Sequence, residues 1–344
     1  MSIQKRKKDH VELSAYGDVS YRKMTGFERY DFCHDALPEI DLESVSTHAT
    51  LFGREFSFPL FISSMTGGYM EGGAVNALIA EFCEEQNLPF GVGSQRIMLE
   101  NPEETDTFKI VRDKAPSAFI ASNIGGAQLI GNLPDEKIRL LTETIQADAI
   151  IVHLNPLQEL IQPEGDRNFR GIEDGIAHLV TNTDLPVLVK ETGAGISAGV
   201  ASRLLTIGVQ AIDVAGAGGT SWSRVENLRK NPNAEFNMFD NWGIPTVDCI
   251  LQIRKLRKKF HFGLIASGGI RTPADIAKAI ALGADFTATA KPVIEALKSG
   301  GKEKLTHMFN SWKKETTLIL TLLGCRSLDL LSDANLYEVV TRDK

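Results

Sequence analysis

A chain of 344 residues fits one large domain of barrel size or two smaller ones, and 43% hydrophobic with 24% charged residues is ordinary for a globular protein with a sizeable core. The net charge of −7 gives no global attraction to nucleic acid or to an anionic membrane, so an anionic substrate would need local cations or a metal. Cys33, Cys83, Cys249 and Cys325 have no CxxC spacing and read as reduced core thiols rather than a disulfide frame or zinc site. The N-terminus is charged without an apolar core, and the uncharged apolar run at 316–325 is too short to cross a bilayer. A cytoplasmic enzyme is the expectation.

In chain order, residues 5–10 (KRKKDH) pack four cations and a histidine into an expected flexible arm, for which the simplest reading is a solvated tail. Residues 16–58 have mixed polarity and no clear period, and are expected to form an irregular extension with a short hairpin near 47–56. From residue 58, short apolar runs alternate with helical segments, the pattern of βα units around a parallel sheet. Eight strands are predicted, at 59–63, 89–92, 118–123, 149–154, 186–190, 211–214, 263–266 and 286–288. Helices are predicted at 74–86, 135–146, 173–182, 197–207 and 247–256. Eight units favour an α/β fold of the closed (β/α)8 TIM-barrel kind over a doubly wound sheet, and no GxGxxG follows the first strand. The expected division is an arm and extension at 1–57 that contributes to the substrate site, a barrel at 58–300, and C-terminal helices at 301–344. Two connections, 157–172 and 216–245, are long enough to be lids or binding loops.

Chemistry in such a barrel sits at the carboxyl ends of the strands. There the chain reads SSMTGG, GVGSQR, SNIGGAQ, HLNPLQE, VKETGAG, VAGAGGTSW, SGGIR and ATAK. Glycine pairs close four of the eight ends, and missing side chains let a flat ligand approach the backbone. Residues 264–291 read as strand, glycine turn, helix, strand and helix, with Thr272 placed to cap and Pro273 at the first helical position. The loops after strands seven and eight are where such barrels hold phosphate. Lys190 ends an apolar strand; an ion pair with Glu191 is awkward because neighbours on a strand face opposite ways, so a cation against an electron-rich ring is the alternative. His153, Asn155, Gln158 and Glu159 share one strand end. Glu159 is the carboxylate there, and one carboxylate with substrate phosphates is how Mg²⁺ is usually held; a solvated loop charge is the competing reading.

These ends, together with the RKKDH arm, resemble the type 2 isopentenyl-diphosphate isomerases, a family of FMN-dependent barrels. The likeness covers most of the chain in the right order. The resemblance implies that Ser64, Met65 and Thr66 lie against the flavin ring, with Ser94, Asn123 and Lys190 hydrogen-bonded to it. It places Thr220, Gly269, Ile270, Arg271, Ala290 and Lys291 around the ribityl phosphate. By the same resemblance Arg6, Lys7 and His10 grip a substrate diphosphate with Ser94 and Arg96, Gln158 meets the reacting carbons beside Asn155 and His153, and Glu159 holds Mg²⁺. The implied reaction converts isopentenyl diphosphate to dimethylallyl diphosphate using reduced FMN for proton transfer, with NADPH needed to reduce the flavin. The family also implies a homo-oligomer, a tetramer or octamer, and no nucleic-acid or membrane partner.

The nearest rival is an FMN-dependent 2-hydroxy-acid dehydrogenase or oxidase, which would share SGGIRTPADIAKAIALGAD. Such enzymes need a histidine base near the sixth or seventh strand, where this chain reads AGAGGTSW. An enzyme resembling inosine-monophosphate dehydrogenase would need a cysteine at a strand end, and none is there. A binding module without catalysis would not require Gln158, Glu159 and the basic arm together.

Overall fold

The computed structural model describes residues 3–65 and 67–339, without the side chains of residues 3–8 and Ala15. Helix α1 (Ile3–Tyr16) leads into an extension holding strand β1 (Tyr30–Phe32) and the hairpin β2 (Ala49–Leu51) with β3 (Arg54–Phe56). Eight parallel strands then close on themselves: β4 (Leu60–Ile62), β5 (Phe90–Gly91), β6 (Ile120–Gly125), β7 (Ala149–Leu154), β8 (Val187–Glu191), β9 (Ala211–Asp213), β10 (Gly263–Ala266) and β11 (Phe286–Thr289). The fold is therefore the (β/α)8 barrel. The helices outside it are α2 (Met70–Gln86), α3 (Arg96–Glu100), α4 (Asp106–Lys114), α5 (Asp135–Glu143), α6 (Pro156–Ile161), α7 (Ile172–Thr181), α8 (Ala198–Thr206), α9 (Trp222–Lys230), α10 (Thr246–Ile253), α11 (Pro273–Ala281) and α12 (Lys291–Leu322). Strand β12 (Leu336–Glu338) pairs antiparallel with β1 and ties the end of the described chain to the extension.

Period-two alternation divides each barrel strand between two cores. One face packs under the helices. The other fills the barrel interior with Phe61, Phe119, Ala121, Ile151, Leu188, Ile265, Phe286 and Ala288. The β2–β3 hairpin plugs the amino-terminal end: Phe56 meets the edges of Phe119 and Phe286, with ring centroids 5.8 and 5.7 Å away, and Phe52 stacks on Phe119 at 6.0 Å. With that end closed by aromatic rings, a ligand enters at the other. Two residues beyond those interior positions, the same inward parity reaches Ser63, Asn123, His153, Lys190, Ser267 and Ala290, all of which line the open mouth. The polar mouth is thus the next layer of the apolar core.

Helix signals act as their chemistry dictates. Thr272 caps α11 in a capping box: its Oγ1 accepts from Asp275 N–H at 3.2 Å while Asp275 Oδ2 accepts from Thr272 N–H at 2.9 Å. Ser221 caps α9, accepting from Arg224 N–H at 3.2 Å. Helix α12 breaks at Gly300–Gly301, where Gly301 takes φ +63°.

Three expectations need correction. The basic stretch, expected as a flexible arm, lies within helix α1, which is held by contacts to α9 and α12. The two long connections are not plain loops, because α6 lies in the first and α9 in the second. Cys33 is exposed, because it follows a strand of the outer two-stranded ribbon and not one of the barrel; Cys83, Cys249 and Cys325 are buried as expected.

Candidate active site

The mouth opens into a cleft of about 300 Å³ reached by all eight strand ends and roofed by His10, Val11 and Ser14 of α1. That volume is in the range of small-molecule and cofactor sites.

The deep end suits a flat ring system with an electron-rich edge. Lys190 points inward and its Nζ donates to the Glu191 carbonyl at 2.6 Å. The Glu191 carboxylate turns the other way, accepting N–H groups from Thr192 at 2.7 Å and Gly193 at 2.6 Å, so the simple lysine–glutamate ion pair does not form. Burial raises the Glu191 carboxyl above its ordinary value, with the loop N–H groups and Lys190 opposing that rise. Asn123 donates through Nδ2 to Val92 O at 3.0 Å, which turns its Oδ1 to His153 Nδ1, 2.8 Å away. An amide oxygen only accepts, so His153 carries its proton on Nδ1. Gln95, wholly buried, accepts from Ser122 Oγ at 2.7 Å and Asn123 N–H at 2.9 Å and so fixes the Asn123 strand end from behind. Ser64 Oγ is buried without a hydrogen-bond partner among the described residues although Ser64 lines the cleft, which suits a ligand polar atom.

The phosphate end is built from backbone. Gly268 and Gly269 take φ +96° and +78°, the left-handed region, which lets the strand-seven loop turn against the strand-six loop. A Cβ on Gly219 would lie 2.6 Å from Gly269 N, so neither loop tolerates a side chain at their crossing. Thr220, Gly269, Ile270, Arg271, Ala290 and Lys291 gather there, with the start of α12 behind them. Donors of this kind and two cations at a helix N-terminus match an anion such as a ribityl phosphate. The residues present fit FMN.

Between α1, α6 and α9, a cluster forms around a residue the sequence did not single out. Glu226 of α9 is fully buried. Its Oε1 accepts from Gln158 Nε2 at 2.9 Å and lies 2.8 Å from His10 Nε2; its Oε2 accepts from Arg229 Nε at 2.8 Å. Arg229 also reaches Glu164 at 2.8 Å, joining α9 to the first long connection. Burial alone would raise the Glu226 carboxyl, but hydrogen bonds and charge from His10, then Gln158 and Arg229, bring it down to about 2. His10 also sets its ring edge-on to Trp222 at 5.1 Å. The available signal was SWSRVENLRK: a serine cap followed by Trp222, Val225, Glu226 and Arg229 at helical spacing.

Asn155 donates to Gln158 Oε1 at 3.2 Å and to Glu159 Oε1 at 2.9 Å. Glu159 Oε2 accepts from Asp166 N–H at 2.8 Å, so the carboxylate is oriented by its own loop at the cleft edge. Arg96 Nε donates to Glu100 at 2.7 Å. His153, Asn155, Gln158, Glu159, Ser94, Arg96, His10, Ser64, Met65, Asn123, Lys190, Thr220, Gly269, Ile270, Arg271, Ala290 and Lys291 all line the one cleft. Thr66 and the side chains of Arg6 and Lys7 fall outside the described residues. Among the described residues no group of three or more His, Cys, Asp or Glu is placed to hold a metal. No helix among the described residues is long and apolar enough to cross a membrane.

The chain matches the FMN-dependent dehydrogenase family over residues 152–338. By structure it is similar to a flavocytochrome b2 Arg-to-Lys mutant, with TM-score 0.70 and 17% identity over 96% of this chain and 82% of that one, and to a mandelate oxidase mutant, with TM-score 0.65 and 16% identity over 97% and 91%. At that identity the likeness concerns the fold. By sequence it is 43% identical to the isopentenyl-diphosphate delta-isomerase of Chlorobium phaeobacteroides, over 95% of this chain and 93% of the relative. It is 44% identical to the enzyme of the same name from Nostoc sp., over 95% and 94%. With an FMN-type barrel, a cleft fitted to a flavin and such similarity along nearly its whole length, the chain belongs to the FMN-dependent, type 2 isopentenyl-diphosphate delta-isomerases.

Proposed function

We propose that this protein interconverts isopentenyl diphosphate and dimethylallyl diphosphate at the mouth of the barrel, with FMN in the deep end of the cleft. The observation that carries the reading is the Gln158–Glu226–His10 cluster, which presents Gln158 and His10 to the same cleft as Lys190 and the Gly268–Gly269 loop. The reaction adds a proton to the terminal methylene carbon and removes one from C2, so atoms balance with no net redox. Bound and reduced, FMN supplies a proton-carrying group beside an alkene too weakly basic for ordinary side-chain acids.

The chain's own residues do the rest. Gln158 is held at both ends, by Glu226 through its nitrogen and by Asn155 through its oxygen, and so orients the five-carbon chain at the flavin face. Glu226, with its carboxyl near 2, is ionised at neutral pH and anchors Gln158 and α1 together. Lys190 favours a reduced, anionic ring through its positive charge. His10 and Arg96, with Arg6 and Lys7, hold the diphosphate and close α1 over the mouth. Glu159 is the protein's ligand for Mg²⁺, with the substrate phosphates completing the shell, as one carboxylate and phosphate oxygens commonly do. NADPH serves to reduce the flavin and is not consumed in turnover. The protein works in the cytoplasm as a homo-oligomer, a tetramer or octamer.

The reading is tested by supplying isopentenyl diphosphate, Mg²⁺, FMN and NADPH without oxygen. Product must exceed NADPH oxidised many times over; one NADPH per product would sink the isomerase reading. Chelating Mg²⁺ should stop turnover while FMN stays bound. The mass of the protein in solution checks the oligomer.

A further inference from the structure

Asp213 ends β9 with its side chain on the inner face of the barrel, 3% exposed, and takes no part in the cleft wall. Strand register sets it beside Lys190 of β8 on one side and Ile265 of β10 on the other. Its Oδ1 accepts from Ser267 Oγ at 2.5 Å and from Ala215 N–H at 3.2 Å. Ser267 lines the cleft, so the carboxylate lies one layer beneath the mouth, under a wall residue it orients. A buried carboxylate without a countercharge is costly, and the neighbouring strand supplies a lysine.

Lys190 needs a countercharge for the same reason. Its strand neighbours on the inner face are His153 of β7 and Asp213 of β9. Glu191, next along the chain, commits its carboxylate to the N–H groups of 192, 193 and 195 on the outer side.

We propose that Asp213 is a positioning residue for Lys190, a carboxylate beneath the cleft that serves as its countercharge and keeps the lysine facing the flavin ring. The inference rests on the FMN reading of the cleft. Burial raises the Asp213 carboxyl above the ordinary aspartate range, and the Lys190 charge is the foremost influence drawing it back. Neutralising Asp213 leaves Lys190 against a ring in a poorly solvated site, and its proton affinity falls.

The test compares FMN-loaded wild type, Asp213→Asn and the Asp213→Asn/Lys190→Met double variant across the neutral-to-alkaline range. The visible spectrum and midpoint potential of the bound flavin are read at each pH. Asp213→Asn should show a flavin transition displaced at least tenfold in proton concentration, about one pH unit, below any in wild type. The double variant should lack it. A merely structural aspartate would change FMN occupancy or thermal stability without creating a Lys190-dependent transition. An Asn variant that titrates like wild type, or a transition that survives in the double variant, overturns the inference and leaves FMN binding standing. Wild type that binds no FMN overturns both. Should Asp213→Asn not fold, Lys190→Met alone gives the reciprocal measurement: the Asp213 carboxyl, followed by its ¹³C signal, must titrate higher than in wild type, and an unchanged titration refutes the coupling.

Discussion

His10 Nε2 lies 2.8 Å from Glu226 Oε1, and that one contact joins residues 216 positions apart. It pins the N-terminal helix across the barrel mouth, and the same carboxylate oxygen takes the amide of Gln158. Roof and reaction site therefore share one anchor.

Replacing that anchor tests the arrangement. Glu226→Gln removes a buried charge that three partners need, so turnover should fall by about 10²–10⁴-fold, the range for losing a positioned catalytic group. Limited proteolysis near residue 10 should accelerate as α1 loses its hold. A variant with wild-type turnover and wild-type protection would separate α1 from the site.

Gln158→Ala should nearly abolish turnover and leave the flavin bound, because Gln158 is held by Glu226 and Asn155 and is not one of the residues proposed to hold the flavin. Absorbance of bound FMN and the rate are measured on the same sample. Equal activity would remove Gln158 from the chemistry.

Truncation of the roof should act on binding. His10→Ala and Arg6→Ala should raise KM more than they lower kcat, by about tenfold per lost charge-assisted contact. An unchanged KM for Arg6→Ala would return that residue to a solvated role.

Gly219→Ala places a methyl 2.6 Å from Gly269 N and must push the strand-six and strand-seven loops apart. FMN affinity should drop at least tenfold with the barrel intact, as read by flavin fluorescence and far-ultraviolet circular dichroism. Undiminished affinity would place the phosphate elsewhere.

Acid should loosen the roof before it unfolds the core. The Glu226 carboxyl is held at about 2 in the folded protein, below its ordinary value, so the stabilisation it brings is complete above the ordinary carboxylate range. That contribution, on the order of 3 kcal/mol, is lost as pH falls from about 4.5 towards 2. Glu226→Gln should flatten stability over this window; an unaltered acid profile would contradict the depressed value.

The chain by itself determined the barrel and the chemistry of its rim. Runs such as 149–154 and 263–266 are too short and apolar to be anything but buried strands, and Thr272-Pro273 starts α11 by local hydrogen bonding alone. Period two then carried the interior core up to His153, Lys190 and Ser267, so those rim residues were legible from strand parity. Glu226 was not, because α9 is a short helix in what reads as a long connection, and its carboxylate matters only where Gln158 and His10 converge on it. Asp213 is hidden for a like reason: nothing local marks an aspartate at a strand end as the neighbour of a lysine 23 residues earlier until the register between β8 and β9 is known. Local signals are set by neighbours along the chain, whereas a buried charge is tolerable only through partners that folding brings from far away.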